Sequence, residues 1–496
     1  MLGAMQRAGD LVLSSRQGRG VIASTVLASG MVFLDGTLVN VAARQIGVDF
    51  SAGFATLQWV LNGYTLALAS LILLGGSLGD HLGRRRVFLI GVCWFALASL
   101  LCAVSPNSTL LVAARVLQGI GGALLAPGSL AILQASIRPV DRGRAVGLWS
   151  GMAGTATAAG PLVGGYLVQH ASWRWAFAIN VPFAVAALAC GLRWIPESRH
   201  AGLSRRLDLA GTGLVALSLA LLTYGTTLAG TAGWGAGTLG LILAGLLALV
   251  AFIWLESRVR HPLLPLGLFR NATFSGSNLM TFTTYGALST MLFLFVLELQ
   301  VAGGYGPLVA GLAPLPLPLL MLFLSPQAGA LAGRIGPRLP MAIGPVVAAA
   351  GMALTMRIDQ AHANFATDVL PAMIVFGLGM SLLVAPLTSA VMGSVPADDV
   401  GIASGTNNAV SRTAGLLAVA VLPPLAGLTG DRYRNPVDLV HSYRIAIAIC
   451  IGMLLVGSLV VLLTVPAEPT AKGTPRRAFR GRRPVSQPVP QPERAG

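Results

Sequence analysis

The sequence predicts an all-α polytopic membrane protein of fourteen spans, and three observations carry that prediction. First, 55% of the 496 residues are hydrophobic and only 10% are charged, outside the usual range of soluble domains. Second, the apolar residues gather in runs of about 20, the length at which a helix crosses a hydrocarbon layer, and no run alternates as a barrel strand would. Third, basic residues follow the spans. With both termini on one side, the 33 Lys and Arg divide as 25 on that side, 6 on the other and 2 within spans, Arg115 and Arg412. The arginine-rich side is expected to be cytoplasmic. An odd span count would put many arginines of the second half on the wrong side. The net charge of +16 therefore belongs to loops and tail, and no nucleic-acid partner is expected.

The spans fall near 21–43, 57–75, 87–105, 108–134, 145–168, 174–195, 209–230, 237–256, 272–297, 307–331, 340–356, 367–391, 402–427 and 444–465. Residues 1–20, with Arg7, Arg16 and Arg19, form a cytoplasmic N-terminus. The apolar run after them is longer than a signal-peptide core and holds Asp35, so it is expected to remain as the first helix. A carboxylate at membrane depth costs about 2.5 to 3.5 kcal/mol on insertion scales, so a chain keeps one with a partner or a task. Spans 2 and 3 are joined by the short basic loop Gly75–Arg86.

That loop carries a family resemblance. The spacing Gly76, Asp80, Gly83, Arg84, Arg85 resembles the loop between helices 2 and 3 of the major facilitator superfamily. Phe33-Leu34-Asp35-Gly36-Thr37-Leu38-Val39-Asn40 resembles the helix 1 signature of its fourteen-span drug:proton antiporters. Ala42-Ala43-Arg44 replaces the Ala-Leu-Pro usual there, a departure confined to the outer end of the helix. In span 4, Arg115, Gln118, Gly119 and Gly121 match the superfamily's Arg, Gln, Gly pattern. Lying mid-span with no strand before it, the glycine pair is expected to pack helices, not to bind a dinucleotide. In span 5, Gly154 followed by Gly160, Pro161, Gly164 and Gly165 resembles the antiporter motif, and a kinked, closely packed helix is expected there. Trp173 to Pro182 resembles the entry to helix 6, with the tryptophans as interfacial anchors.

Residues 21–195 then form a six-helix bundle, 196–270 a linker holding two inserted helices, and 271–466 a second six-helix bundle. Gly329 to Arg338 is a worn copy of the opening loop, with Gly333 where the acid should be. Span 13 carries Ser404, Asn407, Asn408 and Arg412 on a Gly and Ala background. Residues 467–496, rich in Pro and Arg, read as a disordered cytoplasmic tail. Cys93, Cys102, Cys190 and Cys450 lie in apolar runs without metal-ligand spacing and read as packing residues.

The resemblance implies a proton-coupled exporter of lipophilic or amphipathic compounds that works by alternating access. It implies a multi-pass location in the plasma membrane, a monomer, and the lipid bilayer, a small amphipathic substrate and protons as partners. An exporter of one native metabolite or lipid is the alternative, and a non-transporting membrane receptor the reading from another class. Clustered His, Cys or carboxylates and a Walker loop are missing from the sequence, so no enzyme, metal or cofactor is expected beyond the proton as coupling ion.

Asp35 is the expected proton site. At 1.5 Å per residue it lies about 21 Å along span 1 with Arg115, nearly level with it, as its expected nearest basic partner, and Arg412, about 15 Å up span 13, is within reach of a long side chain. Asp80, Gly83, Arg84 and Arg85 with Asp398 and Asp399 form an expected conformational latch. Tyr64, Phe282, Tyr285, Asn407 and Asn408 are candidates for the substrate cavity, against the commoner fate of span aromatics, which is to pack or face lipid. Glu298, near the outer end of span 9, is expected to be a solvated interface residue.

Overall fold

The computed structural model describes residues 11–198, 208–259, 262–359, 364–396 and 399–467. The first ten residues, the polar stretch 199–207, Asp398 of the expected latch, and the tail from 468 onward lie outside the described residues.

Fourteen long helices follow in order: α1 (Arg16–Asp49), α2 (Phe54–Leu82), α3 (Arg84–Val104), α4 (Ser108–Ser136), α5 (Pro139–His170), α6 (Trp175–Trp194), α7 (Leu209–Ala232), α8 (Ala236–Glu256), α9 (Ala272–Val301), α10 (Pro307–Ile335), α11 (Arg338–Thr355), α12 (Phe365–Gly393), α13 (Val400–Leu425) and α14 (Pro436–Thr464). Thirteen are long and apolar enough to cross a membrane. The exception, α5, opens with Asp141, Arg142 and Arg144 and is rich in glycine, which lowers its hydropathy without shortening it.

Several helices outrun the apolar stretches because caps, not hydrophobicity, set their ends. The Ser15 hydroxyl accepts the Gly18 N–H at 2.9 Å, the Asn107 side chain that of Leu110 at 2.9 Å, and the Asn435 side chain that of Val437 at 3.0 Å. Two helices are interrupted: α6 at Ile179, and α10 at Ala313–Leu315, a break that contains Pro314 and precedes Pro316.

The two halves repeat. Gly83 turns α2 into α3 at φ +110°, and Gly336 turns α10 into α11 at φ +88°, both in a region that side chains disfavour. In α4, Gly119 lies against Tyr64 and Ala67 of α2 while Gly121 lies against Phe95 of α3, so one glycine pair admits two neighbours. Of the inserted pair, α7 rests on the outside of the seam between α2 and α13, where Leu219 packs with Ala69 and Leu416. Its partner α8 packs chiefly on α7 and shows Leu243, Leu247, Val250 and Trp254 to the surroundings.

The end carrying Arg84–Arg86, Arg138 and Arg338 is the basic end, and the other the far end. At the far end the halves share one apolar core, with Ile46, Phe54, Leu57 and Trp173 from the first and Met291, Phe293, Leu422 and Tyr433 from the second. Trp173 is fully buried there, donating to Asp49 at 2.7 Å with Arg174 stacked on its ring, so it is a core residue instead of the expected interfacial anchor. Trp175, 57% exposed, is placed as an anchor would be. Of the cysteines, Cys102 and Cys450 are buried, whereas Cys93 is exposed on α3 and does not pack inside the bundle as expected.

At the basic end the segment before α1 is stapled to the start of α5. Leu11 bridges to Ile137, and the Asp141 carboxylate accepts Arg138 Nε at 2.6 Å and the Leu13 N–H at 3.2 Å. The Arg138 hydrogen bond, and then that of Leu13, hold the Asp141 carboxyl below the usual carboxylate range. A depressed value means the contribution is complete above the ordinary range and is lost as pH falls through the folded value. Protection of the Leu13 amide, taken relative to its intrinsic exchange rate, should therefore be high at neutral pH and lost in strong acid, and Asp141→Asn should lower it at neutral pH. Unchanged exchange in Asp141→Asn would remove this staple.

Candidate functional site

Asp35 sits in the middle of α1 with 0% of its surface exposed, and Arg115 on α4 is 1% exposed. Arg115 Nη1 donates to Asp35 Oδ2 at 2.6 Å and to Gln118 Oε1 at 2.6 Å, while its Nε donates to the Val60 carbonyl at 2.9 Å. Gln118 Nε2 donates to Asp35 Oδ1 at 2.8 Å, and Asn180 Nδ2 approaches the same oxygen at 3.3 Å. Ser99 ties the two amides together, accepting from Gln118 at 3.2 Å and Asn180 at 3.0 Å and donating to the Phe177 carbonyl at 2.8 Å. Above and below, the Arg115 guanidinium lies 4.4 Å from the Tyr64 ring centroid and 5.6 Å from that of Phe177.

Five helices of the first half thus converge on one carboxylate. Gln118 falls one turn after Arg115, so α4 presents both to α1. Burying an ion pair is costly unless its remaining donors and acceptors are satisfied, and here both carboxylate oxygens are. Protonating Asp35 would remove the charge that orders Arg115, Gln118 and Asn180 about it. Asn180 and Ser99 were not singled out from the sequence; polar side chains inside apolar spans were the available signal.

Arg412 forms no ion pair with Asp35, although its charge reaches the Tyr64 side chain that lies against Arg115. Arg412 reaches from α13 to the ring of Phe33, 6.0 Å away. Phe33 and Asp35 are two residues apart and so about 200° apart around α1. One faces the second half and the other faces α4.

Of the other cavity candidates, Tyr64 is buried beneath Arg115 and belongs to the core of the first half, not to a cavity wall. Asn407 is engaged with α9, donating to Asn278 at 3.1 Å and Thr281 at 2.7 Å. Phe282 and Tyr285 are half-buried on α9, and Asn408 is exposed. Glu298 is 0% exposed, and neither carboxylate oxygen has a hydrogen-bond partner among the described residues, which corrects the expectation of a solvated residue. The shared far-end core covers α9 at the level where an interface was expected.

The span 5 motif divides into unlike parts. Side chains added at Gly160 or Gly164 would meet Thr37 and Leu38 of α1. One at Gly165 would lie 2.6 Å from Leu308 Cα and 2.8 Å from the Pro307 carbonyl, on α10 of the second half. Gly311 of α10 in turn meets the Pro161 carbonyl. Gly154 has nothing within 4 Å.

Around this contact the far end is closed by hydrogen bonds between halves. Gln58 donates to the Val419 carbonyl at 2.7 Å, Gln300 to that of Val41 at 3.1 Å, Tyr433 to that of Ala52 at 2.7 Å, and Leu308 N–H to Gln169 at 3.2 Å. Toward the basic end of α5, Gly143, Gly147 and Gly151 meet nothing within 4 Å. The close contact of α5 with α10 does not extend in that direction, although Leu73 of α2 still lies against Gly405 of α13.

At the basic end Arg84 chelates Asp80 Oδ1 through Nε at 2.9 Å and Nη2 at 2.7 Å. Glu197, after α6, accepts the Arg85 N–H at 3.2 Å and lies 3.9 Å from Arg86 Nε. A side chain at Gly83 would crowd that carboxylate. Asp399 forms no ion pair with Arg84, Arg85 or Arg86 among the described residues. Glu197, which the sequence does not single out, is thus a partner of Arg85 and Arg86 in this loop.

Comparison with known proteins gives this geometry a family. The family model described as Major Facilitator Superfamily matches residues 25–419. The chain is 36% identical to the tetracenomycin C resistance and export protein of Streptomyces glaucescens over 81% of this chain and 74% of that one. It is 36% identical to a puromycin resistance protein of Streptomyces alboniger, over 89% and 90%. Among solved structures, a bacterial homologue of the human lysosomal transporter Spinster, in an inward-facing and occupied conformation, superposes with a TM-score of 0.64 at 14% identity, covering 93% of this chain and 100% of that one.

Proposed function

This chain belongs to the Major Facilitator Superfamily, on its drug- and antibiotic-export branch, and from that premise we propose that it exchanges protons for lipophilic or amphipathic compounds leaving the cell. The buried Asp35–Arg115–Gln118 cluster is the observation that carries the proposal, since it is a titratable acid at membrane depth whose charge orders four helices around it. The arginine bias supports a cytoplasmic basic end, with the closed far end facing outward and the pathway reached from inside. Compounds then enter from the cytoplasm or inner leaflet between the two halves. Proton loss from Asp35 restores the attraction to Arg115, and proton gain from outside releases it, biasing one arrangement over the other. The protein works in the plasma membrane as a monomer.

Purified protein in sealed vesicles with an imposed pH gradient tests this directly. A lipophilic dye should move against its concentration gradient while the proton gradient lasts and stop when an ionophore collapses it. Dye movement indifferent to the gradient would reject proton exchange, and a chain that moves a single native lipid alone would favour the dedicated exporter.

The basic loop adds a further expectation. When the inner face closes, Asp80 can reach the positive N-terminus of α13, while in the open form it pairs with Arg84. Asp80→Asn should shift the population toward inward-open forms, raising cytoplasmic labelling of a Gly401→Cys reporter in exposed surroundings. Equal labelling with and without Asp80→Asn would remove the latch.

A further inference from the structure

Two basic residues lie deep within spans, and the chain treats them differently. Arg115 is met by Asp35 at 2.6 Å. Arg412 has no carboxylate within ion-pair distance among the described residues, and its Nε is buried without a hydrogen-bond partner. It stands about 18 Å along α13 from the basic end, near the middle of a hydrocarbon layer of about 30 Å. A guanidinium keeps its charge at any working pH, so at that depth it calls for an anion.

Its surroundings are aromatic and come from both halves. The Phe33 ring of α1 lies 6.0 Å away. Tyr285 of α9 is within electrostatic reach, and a Cβ at Gly415, one turn on from Arg412, would sit 4.0 Å from its carbonyl. Asn408, one turn toward the basic end, is exposed. Asp35 is not its counter-ion, because both carboxylate oxygens are taken by Arg115, Gln118 and Asn180.

We infer that Arg412 anchors an acidic group on the exported compound, so that this chain prefers amphipathic acids: a carboxylate, sulfonate or ionised phenol on an aromatic body. The inference rests on the export reading above and names the substrate class of that same pathway. With Asp35 and Arg115 neutral as a pair, Arg412 leaves one positive charge on the path. An anion cancels it and a cation is repelled. The planar fork donates two parallel hydrogen bonds to a carboxylate, while Phe33 and Tyr285 flank the apolar body.

Binding by the full chain in lipid nanodiscs, measured with two matched fluorescent pairs, tests this. The pairs are pyrenebutyrate with pyrenebutanol, and anilinonaphthalene sulfonate with phenylnaphthylamine. Wild type should bind each acid about tenfold or more tightly than its neutral counterpart. Arg412→Gln should erase that preference while keeping the affinity for the neutral member, and Arg412→Lys should keep part of it. No acid preference in wild type across both pairs, or full preference in Arg412→Gln, overturns the inference. Loss of gradient-driven dye movement in Arg412→Gln with acid preference intact would instead place Arg412 in proton coupling. Asp35→Asn separates the two readings: acid preference that persists there, with or without coupled movement, bears on Arg412 alone.

Discussion

Asp35→Asn should reduce pH-gradient-driven export to the leak of protein-free vesicles while substrate binding persists. Asn keeps the size and can still accept from Gln118 and Asn180, both of which donate to Asp35 Oδ1. It cannot take up a proton, so the cluster has one charge state and nothing for the gradient to act on. The same change strands Arg115, 1% exposed, without its counter-ion. Breaking a buried pair from one side costs about 3 to 5 kcal/mol, so the single variant carries a folding burden. A double variant, Asp35→Asn with Arg115→Gln, removes both charges and should recover thermal stability without recovering transport. Asp35→Glu, still titratable, should keep part of the activity. Normal gradient-driven export by Asp35→Asn would dismiss the assignment, and recovery of transport in the double variant would show that charge balance, not a proton, was what mattered.

Gly165→Leu should abolish transport by a different route, through the far-end seal. The two halves meet there backbone to backbone: a side chain at Gly165 would occupy the space of Leu308 Cα and the Pro307 carbonyl. Neither group can rotate away as a flexible side chain would, so the wedge holds α5 and α10 apart and costs the Gln169 contact to Leu308 N–H. The protein should accumulate with its far end open, and an Ala310→Cys reporter, fully buried while that end is closed, should become labelled from outside. Gly154→Ala is the control within the same motif. Its Cβ meets nothing within 4 Å, and alanine favours the helix by up to about 1 kcal/mol, so export should stay near wild type. Equal effects of the two substitutions would mean that the motif acts through helix flexibility, not through closure.

Much of this protein was legible before its fold. Apolar run length and arginine placement specify fourteen spans, and Asp35 and Arg115 declare themselves because an uncompensated charge at membrane depth is too costly to keep without purpose. Gly83 and Gly336 mark the repeat through a backbone need that sequence displays openly, since few other residues accept that φ.

What composition and spacing could not determine is which way a side chain faces once helices cross. Arg412 and Asp35 lie at similar depth, yet the twist of α1 puts Phe33 between the halves and turns Asp35 inward. Tyr64 sits in a span that borders the second half but is buried under Arg115, and Glu298, near a helix end, is sealed because the other half covers it. Gly154 and Gly165 belong to one motif, and only the position of α10 gives one of them a backbone neighbour in the other half. Hydropathy is a property of each helix alone, so the sequence determined the spans, their count and the residues too costly to be idle. Burial, pairing and closure are properties of two helices at once, and these only the tertiary structure decided.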